Sequence, residues 1–538
     1  MNQANRAKVD RMSWNRPTSR LLRTGSVSAL VLISWLTSPP VHAQIPDLQT
    51  VAESSNFKAT APYADVLNFC EELAKQSEHV HLTAMGRTHE NRDIPLLIIA
   101  DPPIKTAKEA KADPRPVFFA MGNIHAGEVC GKEALLMLAR DLVSKKSDSY
   151  KDMILVFAPI YNADGNERFS TENRPGQIGP EKGMGQRPNA MGLDLNRDHM
   201  KLESPEARSL AKFMSDWEPI VAMDLHTTDG SFHRFKLTYD APRHPATDDS
   251  LLKYGRDQFL PAISKSLKTK NPEDLTFFYG NFDRPHENWG SYPAAPRYST
   301  HYFGLRNSLG VLSEAYAYTT YRERVLMTYR FVDENIKLAA KQKAELTSLV
   351  QAAGTNAAKA ESFPIRFKPV PFDRDFTIPA YKEDVAGRGR RRTEDDEETD
   401  YTVKYYGIAE SALGVKVPKS YVVPAKYAAV VENLRNHGIV IETLKEPMKS
   451  SATAYQISDF KSARRAFQGH KVVSDVDVTK ETKQVDLPAG TVIVNTNQPL
   501  ARLIVNLLEP QASDGLTAWN FFDAELESKA FPILRIEK

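Results

Sequence analysis

The chain has 538 residues, which is more than one ordinary domain contains and suggests two. Hydrophobic residues make up 41% and charged residues 26%, a balance that is typical of soluble globular proteins. The formal net charge is only +2, which argues against a nucleic acid or an anionic membrane surface as the partner.

The first 43 residues have the order of a secretory signal peptide. A basic segment ends at Arg23, an apolar run follows over residues 27–36, and Val41-His42-Ala43 places small residues at a cleavage site. An uncleaved membrane anchor is the alternative, but a spanning helix needs roughly 20 apolar residues, about twice the length of this run. We therefore predict a signal peptide over residues 1–43 and export to the periplasm or the medium, without membrane attachment after cleavage.

From residue 62 onward, amphipathic helices alternate with apolar strands. The pattern predicts helices over residues 62–76, 132–143, 204–217 (with Ser204 as N-cap) and 322–349. It predicts strands over residues 79–85, 94–99, 116–121, 153–159, 220–225 and 310–312. The first two strands form a hairpin that turns at residues 89–92. This alternation indicates an α/β layer structure with a buried sheet.

The composition changes near residue 354. Small and polar residues fill 354–360, prolines follow at 364, 369, 371 and 379, and a basic block at 388–392 precedes an acidic block at 394–398. Such a charge run is more often a solvated loop than a binding tail. We therefore predict one domain over residues 44–353 and a Pro-rich, charged linker or loop over 354–400. Short strand and helix patterns then indicate a smaller α/β domain of unknown role over 401–538.

Residues that can bind a metal follow the ends of three predicted strands. His125 and Glu128 follow the strand at 116–121, His226 follows the strand at 220–225, and Glu314 follows the strand at 310–312. Ligand sites of α/β sheets form at this edge. Two imidazoles and a carboxylate are a known ligand set for catalytic zinc, with one position left open for water. Such a water needs a base to accept its proton, and Glu314 suits that role.

His125 and Glu128 also have purely structural interpretations, and Glu314 has a competitor. His125 could stand at a helix entry, and Glu128 could be an acid that the helix dipole favours at an N-terminus. Glu323 competes with Glu314, although it lies in the following predicted helix. His-x-x-Glu by itself therefore indicates a metal site only weakly.

The residues between the ligands complete a pattern that resembles the zinc carboxypeptidase family. Its members show His-x-x-Glu, an Asn-Pro-Asp-Gly turn, a Gly-x-Asp-x-Asn-Arg segment, a distant His and a late Glu, in that order. All five occur here, with Asn-Ala-Asp-Gly at residues 162–165 and Gly-Leu-Asp-Leu-Asn-Arg at 192–197. The resemblance is closer to the bacterial and cytosolic branch than to the pancreatic enzymes. It implies a three-layer α/β/α catalytic domain with a mixed sheet and one zinc ion, held by His125, Glu128 and His226.

The resemblance also implies roles for residues around the metal. Asn196 and Arg197 match the pair that receives the terminal carboxylate of the substrate, a task that suits a planar guanidinium. Arg187 matches the arginine that polarises the scissile carbonyl, although Arg174 competes for this role. Asp194 matches the acid that orients the first His ligand.

A mobile tyrosine covers the substrate in this family. Tyr292, Tyr298 and Tyr302 are the candidates in the loop before Glu314. We favour Tyr292 as a substrate-binding residue because of its spacing from Glu314.

Two cysteines, Cys70 and Cys130, stand sixty residues apart in the sequence. Export would permit a disulfide between them, but the spacing does not show that they meet. A pair of buried thiols is an equal alternative.

These assignments predict an exported, zinc-dependent metallopeptidase. The resemblance implies that Glu314 deprotonates a zinc-bound water, which attacks a peptide carbonyl held by zinc and Arg187. Recognition of a free terminal carboxylate by Asn196 and Arg197 would make the enzyme release the last residue of a peptide. The alternatives are a murein-peptide or acyl-amino-acid amidohydrolase on the same fold, and a zinc-bound protein that binds without catalysis.

Overall fold

The computed structural model describes residues 45, 48–145, 147–382 and 397–538. The predicted signal peptide and most of the charged run at 388–398 lie outside these residues. Residues 44–538 form one compact unit. Within the described part of the chain, no helix is both long enough and apolar enough to cross a membrane.

Eight of the ten strands in the first part of the chain build one large sheet. The ten strands are β1 (Val80–Arg87), β2 (Asp93–Ile99), β3 (Val117–Gly122), β4 (Ile154–Ala158), β5 (Val221–Thr228), β6 (Leu237–Asp240), β7 (Thr276–Phe278), β8 (Asn281–Phe282), β9 (Asn288–Gly290) and β10 (Leu309–Tyr316). Eight of them pair in the order β1-β2-β4-β3-β5-β10-β6-β7. The central strands β4, β3, β5 and β10 are parallel, whereas β1, β2 and β4 pair antiparallel and so do β10 and β6. The sheet is therefore mixed, as predicted.

Helices cover both faces of this sheet. They are α1 (Val51–Ser54), α2 (Tyr63–Gln76), α3 (Ala107–Ala112), α4 (Cys130–Ser144), α5 (Ser149–Asp152), α6 (Ala163–Asn166), α7 (Pro205–Trp217), α8 (Asp249–Tyr254), α9 (Leu260–Lys270), α10 (Ser299–Leu305), α11 (Tyr321–Lys341) and α12 (Lys343–Lys359). Apolar side chains of α2, α4, α9 and α11 share one core with the sheet, and those of α3, α7 and α10 share another. Ser204 caps α7, as predicted, by accepting a hydrogen bond from the backbone of Ala207.

Side chains alternate between the two cores along the buried strands. In β3, Phe118 and Ala120 pack into one core, while Phe119 and Met121 pack into the other. Every residue of β3 and β4 is buried. A strand that is covered on both faces is apolar throughout, which is why these strands could be recognised as continuous apolar runs. The α/β/α layering is thereby confirmed.

The long helix predicted over residues 322–349 is wrong as a single element. The structure has two helices, α11 and α12, which meet at Gln342, where the backbone leaves the helical region (φ −107°, ψ 18°). The Gln342 side chain accepts a hydrogen bond from the Tyr254 hydroxyl at 2.9 Å. No Gly or Pro marks this break in the sequence, so the apolar pattern alone could not locate it. The second helix continues to Lys359, into the segment predicted as a linker.

That segment also contains strands where we expected a loop. These are β11 (Ser362–Val370), β12 (Asp375–Tyr381) and β13 (Glu398–Tyr406). The prolines at 364, 369 and 379 lie in the first two of them, which have a single pairing partner each. Proline is tolerated at such sheet edges because its missing N–H faces away from the ladder. Prolines therefore do not mark a structureless linker here.

The C-terminal region is built around a second sheet, whose paired strands are all antiparallel. Its elements are β14 (Ile408–Lys416), β15 (Ser420–Val423), α13 (Ala428–Asn436), β16 (Glu442–Thr443), β17 (Met448–Ser462), β18 (Val473–Leu487), β19 (Val492–Asn495), α14 (Ala501–Leu508), α15 (Asp523–Glu527) and β20 (Leu534–Ile536). Six strands form a sheet in the order β16-β19-β15-β20-β17-β18. The long pair β17 and β18 is an antiparallel hairpin.

Buried polar contacts join this region to the larger one. The side-chain amide of Asn433 donates to the carbonyls of Met200 and Lys201 at 3.1 and 3.0 Å. Arg502 donates to Asp248 at 2.9 Å. Strand β13 pairs with β9, and one apolar core includes residues of both regions. The division at residues 353 and 401 stays a prediction from composition.

Cys70 and Cys130 are both buried and both free. The alternative of two buried thiols therefore describes the structure. Burial raises the pKa of the Cys70 thiol, which keeps it protonated and inert.

Candidate metal centre

The predicted ligands meet at the carboxyl ends of the central strands. His125 and Glu128 lie in the turn between β3 and α4, and His226 lies near the end of β5. Glu314, in β10, stands directly beside His226 in the parallel register of the two strands. Three neighbouring strands therefore deliver all four side chains to one point, as expected at this edge of an α/β sheet.

The three candidate ligands are in mutual contact. The Nδ1 atoms of His125 and His226 lie 3.2 Å apart. The Glu128 carboxylate lies 3.1 Å from His125 Nδ1 and 3.0 Å from His226 Nδ1. One potential ligand atom from each residue lies within 4.8 Å of the other two. All three residues are buried.

A carboxylate on the far side of each imidazole fixes its tautomer. His125 Nε2 donates to Asp194 at 2.9 Å, and His226 Nε2 lies 2.8 Å from an oxygen of Asp224. With the proton on Nε2, each Nδ1 lone pair points to the centre. Two lone pairs and a carboxylate at these distances repel one another unless a cation lies among them. The donor set therefore fits a zinc ion.

Burial and neighbouring charges shift the pKa values of the two glutamates in opposite directions. Burial raises the pKa of Glu314 above its ordinary value. Burial acts in the same sense on Glu128, but His125 and Arg174 outweigh it and hold the Glu128 pKa well below its usual range. Glu128 is thus held as an anion, which would suit a metal ligand, whereas the pKa of Glu314 is shifted upwards, in the direction that would suit a general base. Within the described chain, Glu314 Oε2 has no hydrogen-bond partner.

Arg187 and Asp194 form a pair at the mouth of the site. Arg187 approaches Asp194 at 2.8 Å and Glu128 at 3.6 Å, and 42% of its side chain is exposed. Asp194 also accepts from the backbone of Asn196 at 2.9 Å. Burial raises and His125 and Arg187 lower the pKa of Asp194, which ends far below its usual value. Asp194 is thus a fixed anion that holds both a ligand ring and an arginine.

Asn196 and Arg197 line the same pocket as the ligands. The oxygen of the Asn196 amide is already engaged, since it accepts from the backbone of Ser299 at 2.9 Å. Arg197 stacks its guanidinium 4.2 Å from the centroid of the Tyr298 ring. Arg197 therefore brings a positive charge to the pocket wall, and Asn196 lies beside it.

The structure places the tyrosine candidates differently. Tyr292 and Tyr298 line the pocket, together with Tyr279. Tyr292 is held by stacking on His301 at 5.0 Å and by the Arg243 guanidinium 4.8 Å from its ring centroid. Tyr302 points elsewhere, with its hydroxyl 2.9 Å from His437. Tyr292 is thus a packed wall residue in this structure.

Two residues of the site, Asp224 and Arg174, make contacts that the sequence analysis did not predict. Asp224 anchors His226 and also accepts from the Ser299 hydroxyl at 2.5 Å. Its position two residues before His226 on a strand puts both side chains on one face, and that spacing was a usable signal. Arg174 donates to Glu128 and to the Thr227 carbonyl, each at 2.8 Å. Nothing in the local sequence distinguishes that contact from a loop arginine.

Comparison with known proteins agrees with this centre. Residues 66–286 match the model of the zinc carboxypeptidase family. Carboxypeptidase 2 of Trichophyton tonsurans is 20% identical over 471 residues, which cover 84% of this chain and 82% of that protein. Carboxypeptidase D of Homo sapiens is 28% identical over 192 residues, which cover 30% of this chain and 14% of that protein.

Two of the solved structures that resemble this chain are also named metallo-carboxypeptidases. The metallo-carboxypeptidase from Pseudomonas aeruginosa in complex with (2-guanidinoethylmercapto)succinic acid is 17% identical, with a TM-score of 0.40 and coverage of 53% of this chain and 70% of that one. The metallo-carboxypeptidase from Burkholderia cenocepacia is 16% identical, with a TM-score of 0.39 and the same coverages of 53% and 70%.

The layered fold, the ligand set and the family match together define a zinc-dependent hydrolase. Residues 66–286 match the zinc carboxypeptidase family, and this match, the curated relatives named carboxypeptidase and the metal-binding triad support a metallocarboxypeptidase whose cofactor is zinc. The segment that matches the family ends before Glu314, so the role of Glu314 is inferred from its position beside His226 in the sheet.

Proposed function

We propose that this protein is an exported carboxypeptidase that releases C-terminal amino acids from peptides, with Glu314 as its general base. The observation that carries the proposal is the convergence of His125, Glu128 and His226 beside Glu314 in a pocket that Arg197 also lines. A general base, a metal-binding triad and a cation for a carboxylate are the three parts that this reaction needs.

Zinc and Glu314 contribute to the activation of water in different ways. Zinc held by His125, Glu128 and His226 supplies Lewis acidity, which lowers the pKa of water and polarises a carbonyl oxygen. Glu314 accepts the proton of the attacking water and returns it to the leaving amine. Its buried carboxylate has an oxygen without a hydrogen-bond partner in the described chain, so that oxygen is available for the proton.

Two arginines bind the charges of the substrate. Arg197 pairs with the terminal carboxylate, since its guanidinium is fixed against Tyr298 at the pocket wall. Arg187 donates to the oxyanion that develops on the scissile carbonyl. Its pairing with Asp194 holds it near Glu128, at the mouth of the centre.

The N-terminal pattern supports export. A basic segment, an apolar run over residues 27–36 and small residues before Gln44 are the parts of a cleavable signal. The enzyme would therefore act in the periplasm or the medium. Murein peptides and acyl-amino acids are the competing substrates, and the substrate panel below separates them.

The test compares Glu314→Gln with Glu323→Gln in protein expressed with its leader. Glu314→Gln should keep its zinc yet lose about 10²- to 10⁴-fold in kcat, the usual contribution of a general base. Glu323 pairs with Lys236 at the start of α11, outside the pocket lining, so its variant is the matched control. Substrates are a peptide, its C-terminal amide, a murein peptide and an acyl-amino acid.

The expected result is rapid release from the free peptide alone, by a mature chain that begins at Gln44. Full activity of Glu314→Gln would exclude this residue as the base. Equal cleavage of the amidated peptide would exclude recognition of the carboxylate by Arg197, and preference for the murein peptide or the acyl-amino acid would reassign the substrate. A purified protein that begins at Met1 would contradict export.

A further inference from the structure

A loop of the C-terminal region reaches the metal centre. Residues 463–472 connect the long strands β17 and β18. Phe467 and His470 pair their backbones at 2.8 and 3.0 Å, which closes a tight turn. Between them, Gln468 and Gly469 both have positive φ angles, 53° and 80°. A non-glycine residue is uncommon in this conformation, which a tight two-residue turn requires at both of its central positions.

The Gln468 side chain contacts Asp194. Its Oε1 accepts a hydrogen bond from the Asp194 backbone N–H at 2.7 Å, across 274 positions of sequence. Asp194 is only 7% exposed. Loss of the acceptor would leave this partly buried N–H unpaired, which is unfavourable, so the contact constrains the Asp194 backbone. The Asp194 carboxylate in turn orients His125 and holds Arg187.

Two further contacts hold the loop in place. His470 Nε2 lies 2.7 Å from an oxygen of Glu203, and its Nδ1 lies 3.1 Å from the side chain of Asn520. Beside it, Arg297 lies between the two regions. Its guanidinium stacks 4.7 Å from the Trp519 ring and pairs with Asp514 at 2.8 Å.

We propose that Gln468 is a positioning residue of the metal centre, and that the loop of residues 463–472 makes the C-terminal region a part of the active site. Gln468 acts through Asp194, which fixes the ring of His125 with its Nδ1 towards zinc. The inference rests on the proposed function for its catalytic consequence, but its effect on the zinc ligand can be measured without a substrate.

The experiment uses the full chain and two replacements of one side chain. Gln468→Met keeps the length and removes the acceptor, and Gln468→Glu restores an acceptor oxygen. Gln498→Met is the matched control, because Gln498 also bonds to backbone, at Val440 and Asn495, but lies outside the pocket lining. The readouts are the zinc dissociation constant from competition with a chelator, and kcat and KM separately.

Gln468→Met should weaken zinc binding about 3- to 10-fold, which is less than the 10- to 100-fold typical of residues that contact a ligand directly. Its kcat should fall by a similar factor with little change in KM, because Arg197 is not displaced. Gln468→Glu should regain most of the zinc affinity, and Gln498→Met should match the wild type.

Unchanged zinc affinity in Gln468→Met would overturn the inference. So would equal losses in Gln468→Met and Gln468→Glu, which would indicate general damage to the loop. A wild-type protein that binds zinc but releases no amino acid would contradict the proposed function alone, because the ratio of zinc affinities would still test the part played by Gln468.

Discussion

The two histidines of the metal centre are held in different ways. His226 lies in β5, which pairs with β3 on one side and β10 on the other, and its anchor Asp224 is part of the same strand. His125 lies in a turn, and its anchor Asp194 lies in a second loop that is tied to the C-terminal region through Gln468. One half of the centre is therefore fixed by the sheet, and the other by contacts between distant loops.

This difference predicts which half of the metal centre is more sensitive to the loss of a side-chain contact. A central strand is hydrogen-bonded along both edges, so a lost side-chain contact leaves its backbone in place. A loop depends on the side chains that cross it, since few backbone bonds define its path. The loop half should therefore respond more strongly to the loss of its carboxylate.

The largest expected difference is between Asp194→Asn and Asp224→Asn. Both remove a charge that orients a ligand, which typically weakens metal binding 10- to 100-fold. Asp194→Asn should lie near the upper limit, because Arg187 and the Asn196 backbone are released together with His125. Asp224→Asn should lie near the lower limit. Competition with a zinc chelator measures both.

The matched control is Asp216→Asn, at a half-buried residue of α7 that pairs only with Lys212 in the described chain. It should bind zinc like the wild type. Equal losses for the two buried variants, or a greater loss for Asp224→Asn, would show that the sheet does not protect its half of the centre.

A smaller effect should appear in the pH dependence of the loop contact. The hydrogen bond that His470 donates to Glu203 holds the pKa of His470 above 6.5. Burial raises the pKa of Glu203, but His470 and Lys201 outweigh it and lower that pKa to about 2. A raised histidine pKa stabilises the fold at low pH, and this contribution is lost as the pH rises through that pKa. Because the pKa of Glu203 is lowered, this residue stabilises the fold above pH 4.5. That contribution is lost as the pH falls towards about 2.

Both contributions are therefore complete between pH 4.5 and 6.5. His470→Gln should lower the melting temperature more at about pH 5.5 than at about pH 9, because the charge of the wild-type imidazole is lost as the pH rises through its raised pKa. Thermal unfolding of the two proteins at both values measures this. A difference in melting temperature that is independent of pH would show that His470 contributes by packing on Trp519 and not by charge.

Much of the sheet-held half could be predicted from the sequence. Strands β3, β4 and β5 appear as apolar runs because both faces are covered, and their ends locate His125, Glu128 and His226. Even Asp224 could have been found from its spacing to His226. The order of five motifs then indicates the family.

The loop-held half could not be predicted in the same way. The contact from Gln468 to Asp194 joins residues 274 positions apart, and neither residue has a local pattern that selects the other. The break at Gln342 and the strands at residues 362–381 were missed for a related reason. Each depends on tertiary partners, such as the Tyr254 hydroxyl or strand β14, that override the local composition.

The most direct measurement is anomalous diffraction at the zinc absorption edge from crystals of the wild-type protein. The account predicts one peak, bonded to the Nδ1 atoms of His125 and His226 and to the Glu128 carboxylate at roughly 2.0–2.2 Å. It also predicts that Glu314 lies beside the metal and does not coordinate it as a bidentate ligand. A peak at another site, or no zinc in protein that cleaves peptides, would contradict the account.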